Sequence, residues 1–309
     1  LNHPGKQSPK GLNRETVSPS SIPFKKDMQA FFDTPRELTE AEINDIVERF
    51  GHSAALVKKA GFTGVQIHGA HGYLVNQFLS SHTNQRQDAW GGDAERRRRF
   101  PMEVYRKIRE NVGDDFPIGI KLNSADFQKG GFTEEESLDV IKALEAEGID
   151  LVEISGGTYE QPTMSGKDIR ESTKQREAYF LQFAEQIRKE IRVPLVVTGG
   201  FRSANAMNGA LGANNLDMVG IARPLAVDTH YPNKLLNGEP LTVNVNPIKT
   251  GVKMIDDMAL MEVAWYGRQL KRISQGKPTK PNENAFLAFV KVILTSGYRT
   301  YKTRRLRAS

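Results

Sequence analysis

Gly61-Phe62-Thr63-Gly64-Val65-Gln66-Ile67-His68-Gly69-Ala70-His71 is the stretch that decides the fold, because it joins a helix to a strand and the strand to a polar loop. On its N-terminal side, Ile43, Ile46, Val47, Phe50, Ala54 and Val57 recur at spacings of three and four between Thr39 and Lys59, which places them on one helical face. Thr39 and Glu42 have capping-box spacing, and Gly61 stands where a helix end favours a left-handed residue. The apolar run Phe62 to Ile67 is too short for a helix. It reads as a buried strand feeding the polar group His68, Gly69, Ala70, His71.

The alternation continues downstream. Helices are expected over Phe100–Val112, Thr133–Glu147, Arg176–Ile191 and Ala204–Leu211, and strands over Pro117–Leu122, Asp150–Ser155, Val193–Thr198 and Leu216–Ile221. Near-continuous apolar strands alternating with helices imply a parallel sheet covered by helices, either doubly wound or closed into a barrel. Polar residues or glycines follow each strand: His68, Asn123, Gly156, Gly199, and Ala222 with Arg223. Chemistry is therefore expected at one end of the sheet. In a (β/α)8 barrel that end holds the active site, and the last two strand-end loops bind phosphate. Gly199-Gly200 and Gly220-Ile221-Ala222-Arg223 occupy those two loops.

Composition narrows the function classes. A chain of 309 residues with 38% apolar and 26% charged content is read as one domain spanning residues 1–309. Without cysteine, the chain holds no disulfide, thiolate zinc site, iron–sulfur ligand or cysteine nucleophile. The longest apolar run, Ala285 to Leu294, is interrupted by Lys291 and falls far short of a membrane span of roughly 20 residues. Leu1 to Gly11 lacks the basic and apolar regions of a secretory signal, so a cytoplasmic enzyme is expected. The net charge of +6 is interleaved with acids and accompanies no aromatic-basic module, so neither a nucleic-acid nor a membrane partner is expected. Arg96 to Arg99 and the tail residues Lys302, Arg304, Arg305 and Arg307 are read as solvated surface. Oligomeric state has no signature here.

His68 and His71, three apart after a strand, admit a metal pair, two structural histidines or two catalytic donors. No His-Glu-x-x-His helix accompanies them and cysteine is absent, so no metal is expected. The segment His68-Gly69-Ala70-His71-Gly72-Tyr73-Leu74, with Asn76-Gln77-Phe78-Leu79-Ser80 and with Asn84, Arg86, Asp88, Trp90, Gly91 and Gly92, resembles the Old Yellow Enzyme family. Leu1-Asn2-His3-Pro4-Gly5 is similar to the end of that family's third strand. Arg176-Glu177-Ala178-Tyr179-Phe180 and Thr198-Gly199-Gly200-Phe201 extend the match, which covers most of Leu1 to Leu236. Residues 246–309 match only loosely and are expected to form a C-terminal helical extension.

The resemblance implies a (β/α)8 TIM barrel that binds FMN, consumes NAD(P)H and reduces carbon–carbon double bonds activated by a carbonyl or nitro group. Five strands do not close a barrel, so about three βα units, on the order of 80 to 110 residues, are expected upstream. A naturally short open sheet is the alternative. Hydride transfer leaves negative charge on the small-molecule substrate's oxygen, toward which His68 and His71 can each aim one N–H. Tyr73 would then protonate the α-carbon, as a phenol of pKa ~10 remains protonated at neutral pH. Lys121 lies where the family carries an Arg or Lys beside the flavin's N1 and C2 carbonyl; otherwise it is a salt-bridged lysine inside the barrel. For the FMN phosphate, the candidates are the backbone of Gly199, Gly200, Phe201, Ala222 and Arg223, with Arg223 adding charge. Asn84, Arg86, Asp88 and Trp90 are read as structural. Competing expectations are a flavin-free barrel retained for binding or scaffolding, and a dienoyl-CoA-reductase-like enzyme whose iron–sulfur ligands this chain lacks.

Overall fold

A computed structural model of the chain describes residues 1–11, 15–163, 177–239, 248–252, 256 and 260–295. Two compact units emerge: Leu1–Gly200 with Gly209–Gly220, and Phe201–Asn208 with Ile221–Ser309. The first unit contains a five-stranded, wholly parallel sheet whose strands follow chain order: β3 (Val65–Gly69), β4 (Ile118–Asn123), β5 (Leu151–Ser155), β6 (Leu195–Thr198) and β7 (Met218–Gly220). Two short strands precede it, β1 (Val17–Ser18) and β2 (Arg36–Glu37), which pair in parallel. Its α/β architecture agrees with the sequence pattern, each strand falling within two or three residues of its expected bounds.

Helix α1 (Glu40–Lys59) forms where the three-and-four periodicity predicts it, with the expected capping box closed by Thr39 N–H to Glu42 Oε2 at 2.8 Å and Glu42 N–H to Thr39 Oγ1 at 3.3 Å. Such a cap contributes about 1 kcal/mol. Ile43, Ile46, Val47, Phe50 and Ala54 are buried, each large side chain stabilising by about 2 kcal/mol, and Gly61 turns the chain at φ +87°. After β3 come the short α2 (Leu74–Leu79) and α3 (Ala94–Val112), which packs on α1 with the Phe50 and Phe100 rings edge-to-face at 6.5 Å. Helix α4 (Glu134–Ala146) carries a second capping box, Thr133 with Glu136, and links β4 to β5. Between β5 and β6 the helix expected over Arg176–Ile191 is shorter, α5 (Leu181–Ile187); Arg176 lies outside the described residues. Helix α6 (Ala204–Gly212) precedes β7.

The strands are not uniformly apolar, as the sequence reading had them. Side chains alternate across a strand. Ile67, Ile118, Ile120, Leu122, Val152, Ile154, Leu195 and Val197 point to one face and are all fully buried. Gln66, His68, Lys121, Asn123, Glu153, Ser155 and Thr198 share the other, because register sets His68 beside Lys121, Lys121 beside Glu153, and Asn123 beside Ser155. At the free side of β3, the Leu1 ammonium donates to Gln66 O at 2.6 Å and His68 N–H donates to Leu1 O at 2.9 Å, the spacing of a parallel ladder.

A second correction concerns the arginine run. Helix α3 begins at Ala94, capped by Asp93, so Arg96 to Arg99 lie in its first turns, ahead of the expected start at Phe100. Arg97 is buried, donating to the carbonyls of Leu79 and Gly92 and pairing with Glu136. Arg99 lies over the Trp90 ring, 4.2 Å from its centroid. Asn84 donates to Phe78 O and Trp90 O at 2.8 Å each, and Arg86 reaches Pro19 O, Leu38 O and Asp88. These bonds tie residues 84–90 to one another, to the carbonyls of Pro19 and Leu38 and to the end of α2, the structural role expected of them.

The second unit contains α7 (Arg223–Val227), α8 (Tyr231–Leu236), α9 (Leu260–Ile273) and helical residues 285–295. Met261, Trp265 and Ala288 form its buried cluster. No helix among the described residues is long and apolar enough to cross a membrane.

Candidate active site

His68, His71 and Tyr73 converge at the C-terminal end of β3. His68 is the penultimate residue of the strand and not the first of the loop; its ring lies 5.2 Å from that of His71 and 4.7 Å from that of Tyr73. The backbone between them is held by a buried polar network. His71 sits at φ +60°, a conformation that costs a non-glycine residue about 1 kcal/mol or more. Asn123 Oδ1 accepts the His71 N–H at 3.1 Å and Gln7 Nε2 donates to the His71 carbonyl at 2.7 Å. Asn76 Oδ1 accepts the Gly72 N–H at 2.7 Å, and Asn76 and Asn123 both donate to Asp126 Oδ1. A strained residue so closely held is the usual mark of a functional loop.

Both imidazoles are neutral at physiological pH. Burial, then the positive charges of Lys121 and the Leu1 ammonium, brings the His68 pKa down to about 4. Burial, followed by Lys121 and His68, pushes His71 well below the ordinary histidine range. The Nε2 of His71 is engaged with Ser155 Oγ at 2.8 Å, which leaves Nδ1 as the nitrogen it can offer. His68 Nδ1 is buried with no hydrogen-bond partner among the described residues. An orphaned polar nitrogen costs about 1 to 3 kcal/mol unless a ligand satisfies it. Beside the trio, Tyr73 Oη lies 2.9 Å from the hydroxyl of Tyr159, a residue on the loop after β5 that sequence reasoning did not single out.

Lys121 points to the polar face and is ion-paired there, the alternative that the sequence left open beside a flavin contact. Its ammonium pairs with Glu153 at 2.8 Å, and Glu153 also accepts from Gln66 at 2.8 Å and Thr198 at 2.6 Å. Burial would raise the Glu153 pKa; Lys121 and the three hydrogen bonds outweigh it and hold the carboxyl below its usual value. Gly199 and Gly200, at φ +127° and +90°, end the first unit in conformations that L side chains rarely adopt. A Cβ on Gly200 would lie 2.8 Å from the Tyr179 ring and 2.9 Å from Ala178 N. Phe201, Ala222 and Arg223 belong to the second unit, where Arg223 approaches Glu262 at 3.6 Å.

Residues 1–242 match the profile of the NADH:flavin oxidoreductase / NADH oxidase family, described by its FMN cofactor. The chain belongs to this FMN oxidoreductase family. The NADH-dependent flavin oxidoreductase iccE of Talaromyces variabilis is 35% identical over 307 residues, covering 89% of this chain and 73% of the relative. A 2-naphthoyl-CoA reductase, solved with 2-naphthoyl-CoA, superposes with TM-score 0.72 at 28% identity, covering 87% of this chain and 43% of that one. Morphinone reductase superposes with TM-score 0.64 at 27% identity, covering 78% and 65%. The chain thus spans less than two thirds of either solved enzyme.

The residues of the first unit fit such a cofactor. Its polar sheet face carries the Lys121 cation, paired with Glu153, an unsatisfied nitrogen at His68 and, at the end of β6, a turn of two glycines at positive φ, a backbone form that suits anion binding.

Proposed function

We propose that the protein reduces carbon–carbon double bonds conjugated to a carbonyl or nitro group, with FMN as cofactor and NAD(P)H as reductant. The observation that carries this reading is the unsatisfied, neutral His68 nitrogen beside His71 and Tyr73. FMN, when bound, supplies the hydride exchange between NAD(P)H and the β-carbon of the substrate. Lys121 and the Gly199-Gly200 turn are the groups of the first unit that would hold it; the share of Phe201, Ala222 and Arg223 in binding its phosphate rests on the sequence.

His68 and His71 bind the substrate oxygen as neutral N–H donors. A donor that stays neutral keeps its hydrogen bond without giving up its proton to the oxygen, and its worth rises as negative charge develops there. Ser155 bears on the tautomer: with its hydroxyl as the donor to His71 Nε2, the direction this role requires, the N–H stands on Nδ1. Tyr73, held by its neighbours on the same loop, delivers a proton to the α-carbon. For the fold we propose that the five parallel strands are part of a (β/α)8 barrel, a reading supported by their chain order and by the helix that follows each of the first four.

Replacing Tyr73 with Phe tests the assignment. Flavin reduction by NAD(P)H is expected to survive while enone reduction slows about a hundredfold, the usual scale of general-acid catalysis. Equal loss of both half-reactions overturns the proton-donor role. Absence of a flavin band near about 450 nm after reconstitution with FMN overturns the enzymatic reading and favours a flavin-free binding role.

A further inference from the structure

The hydroxyls of Tyr73 and Tyr159 lie 2.9 Å apart, with their rings edge-to-face at 5.9 Å. Each phenol has a single O–H to give. If Tyr73 protonates the substrate, which is the reading on which this inference rests, its own O–H must face the substrate carbon. The bond between the two tyrosines then has only one possible direction, with Tyr159 donating and Tyr73 Oη accepting.

We propose that Tyr159 is a positioning residue for proton delivery: its hydroxyl holds the Tyr73 rotor with the proton turned toward the substrate and stabilises the oxygen that is left behind. In the step itself the Tyr73 O–H breaks and a C–H bond forms at the α-carbon. The enolate π-electrons make the new bond, and the O–H electron pair stays on Tyr73 as phenolate, which water reprotonates after product leaves. Tyr159 keeps its proton throughout. Its hydrogen bond shortens onto a full negative charge instead of a neutral oxygen, so it favours the state after transfer over the state before.

The surroundings suit Tyr159 to that task. Burial, then the hydrogen bond and proximity of Tyr73, raises its pKa above that of a free tyrosine, so it remains a donor at any physiological pH. Its loop is fastened on both sides. Asn123 donates to Gly157 O at 2.9 Å, and Gly157 N–H donates to Ala125 O at 3.0 Å. On the other flank Glu160, its side chain nearly inaccessible, pairs with the equally buried Lys6 at 3.5 Å and accepts the Lys25 N–H at 3.0 Å. The Phe32 ring lies 6.4 Å from the Tyr159 ring.

The test uses the full-length polypeptide loaded with FMN and labelled with 13Cζ-tyrosine, the Tyr73 signal being assigned with Tyr73→Phe. In Tyr159→Phe the Tyr73 13Cζ resonance at neutral pH is expected to shift, as the phenol oxygen loses one donor. Reoxidation by 2-cyclohexenone should slow about tenfold while flavin reduction by NADH stays within about twofold of wild type. An unmoved Tyr73 resonance overturns the inference whatever the rates, and so does a moved resonance with unchanged enone reduction. The wild-type protein supplies a check that needs no variant: a slowly exchanging Tyr159 hydroxyl proton with a nuclear Overhauser contact to the Tyr73 ring. A hydroxyl in free exchange with water overturns the proposal equally. The proton-donor reading fails on a separate result, enone reduction retained by Tyr73→Phe, which the resonance shift does not touch.

Discussion

Replacing Asn123 with Ala removes the side chain that ties the His71 loop to strand β4 and to the loop after β5. Asn123 is completely buried; its Oδ1 accepts from His71 N–H at 3.1 Å, and its Nδ2 donates to Gly157 O at 2.9 Å and Asp126 Oδ1 at 3.0 Å. The losses are unequal. Asp126 keeps Asn76 Nδ2 at 3.1 Å and the Phe132 N–H at 3.0 Å, whereas the His71 N–H and the Gly157 carbonyl each lose the Asn123 bond. Two buried groups left short at about 1.5 kcal/mol each give a destabilisation of about 3 kcal/mol. With a urea slope of about 3 kcal/mol per M, suitable for a large domain, the unfolding midpoint should fall by about 1 M. Because the N–H of His71 at φ +60° is then released, leaving Gln7 and Ser155 to hold the residue, binding of a phenol probe and enone reduction should weaken more than flavin reduction by NADH. A midpoint within about 0.3 M of wild type, with unaltered phenol binding, would refute the claim that this network holds the site together.

Histidine titration offers a second check. His68, depressed to about 4, is neutral in the folded protein while an unfolded histidine of pKa about 6.5 takes up a proton, so its contribution to stability is complete above pH 6.5 and is lost as pH falls toward 4. The whole window is worth about 3 kcal/mol, and a His68→Phe variant should show that much less acid sensitivity in urea unfolding between pH 7 and 4. A His68 NMR midpoint near the ordinary value would contradict the burial seen here. Glu153→Gln should destabilise by about 3 kcal/mol, since it strands Lys121 as an unpaired, largely buried cation. The same substitution removes the one charge that raises the His68 pKa, so the His68 midpoint should fall further; an upward movement would show that the Lys121–Glu153 pair does not govern the field at His68.

Much of the site was legible along the chain because its parts are local. Glu42 follows Thr39 at cap spacing, and the Thr39–Lys59 periodicity needs only the helix pitch to become a buried face. His68, His71 and Tyr73 lie within six positions, so one strand end brings them together. Arg97 was misread because a four-arginine run looks solvated until the helix start is known; with α3 beginning at Ala94, one of the four turns inward to Glu136. Tyr159 carried no signal at all. It is 86 residues from the hydroxyl it touches, on a loop with no periodicity to read.

The sequence by itself determined the order of strands and helices, the cap of α1, the family, and which strand end bears the histidines and the tyrosine, since each is carried by patterns a few residues long. Only the tertiary structure decided that Gln66, Lys121, Glu153 and Thr198 join in one hydrogen-bonded ladder and that His68 keeps an unsatisfied nitrogen. The physical reason is register. Four parallel strands from distant parts of the chain must align before alternating side chains can be sorted into an apolar face under helices and a polar face where charges meet.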